Sequence, residues 1–241
     1  MTILSGLDPD VAYPATPTVP ESGLHSLARF AAYGALRAWF AERPGCWVGE
    51  DRNVYYRNGD PDIAVAPDVF VCFGVDPERL EPAVSYRVWE VGAAPAFVLE
   101  IASAKTASVD LDEKPAKYLA MGVGEYWRFD PTGGEHFRPA LQGDRRAGGR
   151  WEPVAVSADR HGHPSGHSDT LDLVLCARGT LLRFHDPRTG AWLPDPDQQA
   201  AAAAAERARA DRQAAAAAAE RARADRAEAE LAALRRRLDE Q

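Results

Sequence analysis

Sulfur is scarce in this chain, with three cysteines and two methionines in 241 residues. Cys46, Cys72 and Cys176 are odd in number and widely scattered, so no disulfide framework is expected. Thiols packed as small hydrophobes in a reduced cytoplasmic setting are expected instead. The opening stretch MTILSGLDPDVAYPATPT has neither a basic start nor an apolar run, and so does not read as a signal peptide. No segment reaches the roughly 18 unbroken apolar residues that a membrane helix requires. Positive charge is also short. The net charge is −8. Residues 198–241 hold 9 Arg against 8 acidic residues, net +1, which leaves −9 on residues 1–197. An acidic globular part excludes a broad cationic surface for general phosphate binding. If it handles nucleic acid, contact must come from a local cleft, a bound metal or another subunit.

Several motifs are missing as well. GDRRAGGR at 143–150 has no Gly-Lys-Ser/Thr ending, so it is no phosphate-binding P-loop and reads as an exposed hairpin turn. No Gly-x-Ser-x-Gly elbow accompanies the histidines of HGHPSGHSD at 161–169, which excludes a Ser-His-Asp hydrolase reading. His161, His163, His167 and Asp169 offer zinc-ligand chemistry, but the Gly, Pro and Ser between them favour a solvated hairpin tip.

The remaining sequence has the means to build one α/β domain and an appendage. Hydrophobic residues make up 46% of the chain, enough for a sizeable core. Residues 1–20, with Pro9, Pro14, Pro17 and Pro20, read as irregular. From Ser22, a plausible N-cap, Leu24, Leu27, Ala28, Ala31, Leu36 and Phe40 recur near a 3.6 period. They predict a helix that Pro44-Gly45 stops. The strand candidates that follow are CWVGED, NVYYRN, PDVFVCFG, YRVWEV, AFVLEIAS and EYWRFDP, and the close spacing of the early ones predicts antiparallel hairpins. DLDEKPAKYLAMG predicts a helix that starts near Asp112, because Pro115 fits only the first turn, and ends at Gly122. Strand, helix, strand across AFVLEIAS to EYWRFDP reads as a parallel βαβ unit. Further strands are expected at FRPAL, WEPVAV, LDLVLCAR and TLLRFHDP, and Tyr126 and Trp127 are expected in the core.

The domain division expected is 1–197 and 198–241. In the second part AAAAAERARADRQ recurs almost unchanged after 14 residues, so one long Ala/Arg/Glu-rich helix is expected. Leu231, Leu234 and Leu238 keep a 3,4 spacing only at its end, which allows weak coiled-coil pairing there or a solvated arm.

Two acids carry the chemical argument. Asp68 stands at the head of PDVFVCFG, where an acid is commonly only a turn residue. Glu100 is harder to dismiss, because it falls inside the apolar run AFVLEIAS, where an unpaired carboxylate is costly. A divalent metal shared with another carboxylate answers that cost, and Mg²⁺ prefers hard oxygen donors with waters completing its octahedron. Such a metal acidifies a bound water and neutralises charge on a phosphoryl oxygen. Lys114, in the first turn of the following helix, would reach back to stabilise the transition state. Its bland alternative is a solvated lysine four residues from Asp110. Lys117 and Lys105 lie nearby in sequence.

The segments AVAPDVFVCFGV, YRVWEVGAAPAFVLEIASAKT, DLDEKPAKYLAMGVGEYWRFDP and LLRFHDPRTG together resemble the Uma-type restriction-endonuclease family, within the PD-(D/E)XK nuclease superfamily. The likeness runs in order from about residue 14 to 195, carried by Pro-Asp, E-x-x-S and E-K-x-x-x-Y-x-x-x-G-V-x-E-Y, and tails like this one are also similar to those in the family. It implies a mixed sheet flanked by helices and an endonuclease that cuts phosphodiester bonds, in DNA before RNA. By the same resemblance Asp68 and Glu100 bind Mg²⁺, with Mn²⁺ a substitute, Lys114 completes catalysis, and His25 and Glu21 match the opening helix. Ala102 departs from the superfamily pattern, which places a lysine two residues after the glutamate. Activity therefore depends on Lys114 substituting in space. A homodimer, aided by the tail, is the expected assembly. The alternative is a catalytically silent scaffold that assembles partners through its C-terminal helix.

Overall fold

The computed structural model describes residues 23–239, with the side chains of Ala227 and of residues 229–239 left undescribed. Ser22 and Glu21 therefore lie outside the described residues, as do the first twenty. The chain divides into two units, residues 1–196 and 197–241.

In the first unit, helix α1 (Gly23–Trp39) is followed by strands β1 (Cys46–Glu50), β2 (Val54–Tyr55), β3 (Ala64–Val65) and β4 (Val69–Phe73). A one-turn helix α2 (Pro77–Leu80), strand β5 (Tyr86–Arg87) and a second single turn α3 (Val88–Val91) lead to β6 (Phe97–Ile101). Helices α4 (Ala107–Asp112) and α5 (Lys114–Met121) then cross over to β7 (Glu125–Phe129) and the hairpin β8 (Leu141–Ala147) and β9 (Arg150–Pro153). Four strands complete the unit: β10 (Val156–Ala158), β11 (Pro164–Ser168), β12 (Leu173–Arg178) and β13 (Leu181–His185).

The main sheet has the order β1-β4-β6-β7-β8-β9 and is antiparallel except between β6 and β7, the expected parallel βαβ pair. Period-two alternation sends Phe97, Leu99 and Ile101 of β6 into a core shared with α1 and the β10–β13 sheet. Val98 faces the opposite core, which contains Tyr118, Met121 and Tyr126. With both faces covered, all five residues of β6 are buried. Glu100 is among them.

Several expectations are corrected. The early strands do not form one meander, because β2 leaves the main sheet to pair with β3 antiparallel and β5 parallel. YRVWEV contributes only two strand residues before turning into α3, which left-handed Gly92 ends. FRPAL is not a strand. Asp130 accepts the backbone N–H groups of His136 (2.7 Å) and Phe137 (3.0 Å), which diverts them from the ladder until Leu141. On α1, Leu24 and Leu27 are exposed, and the inward face is His25, Ala28, Ala32, Ala35 and Leu36. Small alanines let this helix lie close to the sheet, and that orientation carries His25 inward.

The crossover helix starts earlier than expected and breaks in two. Ser103 Oγ accepts the Thr106 N–H (3.3 Å) and its carbonyl the Ala107 N–H (3.1 Å), which starts α4 at Ala107. Pro115 has no N–H and its ring crowds the carbonyl four residues back, so the helix breaks at Glu113 and restarts at Lys114. Gly122, at φ 93°, ends α5 in a left-handed conformation that glycine adopts without strain.

The hairpin expectations hold in outline. Gly148 and Gly149 turn β8 into β9, and Asp159 caps the β10–β11 tip by accepting the His161 (2.8 Å) and His163 (2.9 Å) N–H groups. His167 lies on β11 and meets Asp169 at 3.0 Å. Among the described residues no group of three or more His, Cys, Asp or Glu side chains could hold a metal ion, so the zinc reading gains nothing. No described helix is long and apolar enough to cross a membrane. The described residues of the second unit lie in one helix, α6 (Pro196–Asp239), whose 44 residues span roughly 66 Å at the usual rise.

Trp127 locks the sheet interior. Its indole packs where Cβ atoms on Gly143 and Gly166 would fall 2.8 Å and 2.9 Å from the ring. Its Nε1 donates to the buried Glu125 carboxylate (2.8 Å), which also accepts from Ser168 (2.5 Å) and the Thr170 N–H (2.9 Å). A methyl group at 143 has no room, and Gly143→Ala is expected to destabilise the fold by about 1–3 kcal/mol in urea unfolding. An unchanged midpoint would show that the ring has slack.

Candidate active site

The site forms where β4 and β6 run side by side. Val69 pairs with Leu99 and Phe70 with Val98, so the antiparallel register carries Asp68 to the position across from Glu100. Opposite residues of an antiparallel pair project to the same face. Alternation puts Asp68 with Phe70 and Glu100 with Val98, on the α5 side. Asp68 is 8% exposed and Glu100 1%.

Each carboxylate is held by nearby donors. Asp68 Oδ2 accepts the Ile101 N–H at 2.6 Å. His25 Nε2, brought in by the alanine face of α1, lies 3.1 Å from Asp68 Oδ1. Tyr118 Oη donates to Glu100 Oε1, and Lys114 Nζ stands 2.8 Å from Oε2. Lys114 also lies 2.7 Å from Asp110 Oδ1, and Asp110 is fully buried. The bland picture of a solvated lysine beside Asp110 is thus corrected, since the Lys114 side chain is 14% exposed. Ala102 is buried at the position where the superfamily lysine was expected, and Lys114 reaches Glu100 from α5 instead.

The other lysines do not join. Lys117 pairs with Glu113 (3.2 Å) on the exposed face, and Lys105 is exposed in the loop. Glu21 falls outside the described residues. Arg128 is across the ladder from Glu100, but its guanidinium goes to Asp144. Arg29, one turn after His25, bridges Glu50 (3.1 Å) and Asp51 (3.4 Å), tying α1 to the end of β1. The Asp51 N–H in turn reaches the Pro67 carbonyl (3.2 Å), next to Asp68.

Sequence reasoning missed two members, Asp110 and Tyr118. A signal for their shared helix face, though not for its burial against Glu100, was available. The chain has only three lysines among its 28 basic residues, all between 105 and 117, so a lysine there is a choice against the prevailing arginine. Asp110 is four residues before Lys114 and Tyr118 four after it. At that spacing helical residues share a face.

Charge in the cluster is unbalanced. Burial raises the Glu100 pKa well above the ordinary carboxylate value, opposed by Lys114 and reinforced by Asp110 and Asp68. Burial likewise raises Asp110 against the pull of Lys114. For Lys114 burial acts downward, but Glu100 and Asp110 outweigh it and hold the ammonium above its usual value. Among the described residues, Glu100 and Asp110 contact one ammonium and Asp68 acts on it through its charge, so full ionisation leaves an excess of negative charge that suits a divalent cation. No three ligand-type side chains among the described residues enclose an ion by themselves. A metal held by two carboxylates would keep several waters, the habit of Mg²⁺. Each carboxylate oxygen has two lone pairs, so the protein donors already present leave capacity for a metal.

With its pKa raised, Glu100 binds its proton more tightly in the folded chain than in the unfolded one. The stability this contributes is complete below about pH 4 and is lost as pH rises through the raised value. In metal-free buffer, Glu100→Gln is therefore expected to gain stability relative to wild type as pH rises above the ordinary carboxylate value of about 4, by urea unfolding. A difference that stays constant as pH rises would refute the raised pKa.

No curated protein matches the chain. A solved structure similar to it is a "putative nuclease belonging to DUF820" from Anabaena variabilis ATCC 29413, 15% identical, which covers 61% of this chain and 76% of that one with a TM-score of 0.42. Residues 15–175 match the Uma2 family, described as "putative restriction endonuclease". That span takes in α1, Asp68, Glu100, Lys114 and the crossover to β7, and the chain belongs to the Uma2 family.

Proposed function

We propose that this protein is a metal-dependent endonuclease that hydrolyses phosphodiester bonds, acting on DNA in preference to RNA. Family membership supports the nuclease reading, and the word "restriction" in the family's description supports DNA. The observation that carries the chemistry is the Lys114 ammonium 2.8 Å from Glu100, beside a second carboxylate held in the opposite strand position.

Asp68 and Glu100 would hold Mg²⁺, with Mn²⁺ able to replace it. When bound, the ion supplies an acidified water and neutralises charge on a phosphoryl oxygen. The protein's own groups do the rest. The Ile101 N–H and His25 fix the Asp68 carboxylate, and Tyr118 fixes Glu100. Lys114 offers a compact cation to charge building on the phosphate as it is transferred. An ammonium suits this task because its flexible stem can follow a moving charge, whereas a planar guanidinium locks onto one carboxylate geometry.

A catalytically silent scaffold is the second reading. The feature that favours it is Glu100 itself, since protein donors already engage both of its oxygens. Metal titration separates the two readings. Calorimetry is expected to show Mn²⁺ binding by the wild type and its loss in Asp68→Ala and Glu100→Ala, and equal binding by all three would remove the assignment. In a plasmid-nicking assay Lys114→Ala is expected to cut about 10²–10³-fold more slowly. A wild type that nicks nothing under any metal and salt condition would favour the scaffold.

A dimer is part of the proposal. With −9 on residues 1–197, a second subunit that presents a second site to the duplex compensates for weak phosphate attraction. The spacing of Leu231, Leu234 and Leu238 points to the end of α6 as the pairing segment. Light scattering should report twice the chain mass for the full protein and a monomer for protein ending at Pro196. Equal oligomeric states would exclude α6 from the interface.

A further inference from the structure

We propose that Asp110 is a positioning residue, which holds the Lys114 ammonium against Glu100 and so sets where that cation meets the phosphate under attack. The chemical part of this inference rests on the nuclease reading above, while the geometric part does not.

Asp110 ends up beside Lys114 by construction of the crossover, not as a by-product of one continuous helix. It lies in the last turn of α4, and Lys114 is the first residue of α5, beyond the break at Glu113. Its backbone is pinned from two sides. The Asp110 N–H donates to the Thr106 carbonyl (2.9 Å), and Tyr126 Oη on β7 donates to the Asp110 carbonyl (2.7 Å). The main sheet thus dictates where this carboxylate sits.

The side chain has little structural reason to be acidic. It is fully buried, and its oxygens have only the Lys114 ammonium and, at poorer geometry, the Thr106 side chain as polar neighbours. Its close contact is the charge of Lys114 at 2.7 Å. An apolar residue would fill the same space without desolvating a charge, and replacing such buried ion pairs by apolar groups often leaves a protein as stable or more so. What an acid does here and an apolar residue cannot is restrain a cation. One carboxylate leaves a four-carbon stem free to swing about a single contact. Contacts at 2.8 Å and 2.7 Å to carboxylates on different elements fix the ammonium between them.

Two measurements on the full chain test this. The first needs no activity. In protein labelled with ¹⁵N-lysine, the Lys114 ammonium, sequestered between two carboxylates, is expected to exchange slowly enough to be seen, while Lys105 and Lys117 on the surface are not. Asp110→Asn should abolish that signal and Lys117→Ala should not. An ammonium signal absent from the wild type, or undiminished in Asp110→Asn, would overturn the proposal. The second measurement is kinetic. Asp110→Asn is expected to lower kcat about 10- to 100-fold with KM and calorimetric Mn²⁺ affinity unchanged. In a Lys114→Met background the same substitution should cost nothing more, because its effect passes through the lysine. A further loss in that background, or weakened Mn²⁺ binding in both backgrounds, would make Asp110 a metal ligand and refute the positioning role. If the signal behaves as expected but the wild type cuts no nucleic acid, the nuclease reading fails and the geometry survives.

Discussion

A carboxylate inside an apolar strand needs neighbours to answer its charge, and Glu100 is that carboxylate. All five residues of its strand are buried, with packed cores on both faces. The surroundings are arranged around this one group. Tyr118 takes one oxygen, Lys114 the other, and Asp68 arrives across the ladder to share the site. Lys114 and Tyr118 come from α5 and Asp68 from the head of β4, so the site exists only when β4, β6 and α5 are assembled together. Isolated buried charge is too costly to persist, and the pKa of Glu100 rises accordingly.

The rest of the fold can be understood as the means of holding those elements in register. Trp127 sits against two glycines and is tied to Glu125, which is bound in turn by Ser168 and Thr170 from the chain around the end of β11. In the same core the alanine face of α1 brings His25 to Asp68, and Arg29 ties that helix to Glu50 and Asp51. Rigid packing on one face thus supports a polar cluster on the other. This is the arrangement a reacting site requires, because its groups must be oriented before substrate arrives.

Much of this was legible in the residues themselves. The anomaly of Glu100 in AFVLEIAS, the strand–helix–strand order around it and the long C-terminal helix were all readable, because each rests on local pattern. The Uma-type resemblance supplied the pairing of Asp68 with Glu100, which no local pattern contains. What escaped was decided by longer-range contacts. Leu24 and Leu27 looked inward on periodicity, yet α1 turns its alanines and His25 to the sheet. The departure of β2 and β5 into their own small sheet depends on pairings between segments far apart in sequence. Asp110 was dismissed as a surface partner of Lys114, because the i,i+4 spacing does not reveal that both side chains face Glu100.

In the enzyme proposed above, Asp68 and Glu100 jointly hold one divalent ion. Anomalous diffraction from a crystal soaked in Mn²⁺ tests it most directly. A single manganese peak is expected at about 2.0–2.3 Å from an oxygen of each carboxylate, with waters completing its shell. A peak bound to neither residue, or no peak at saturating manganese with the Lys114–Glu100 contact intact, would contradict it.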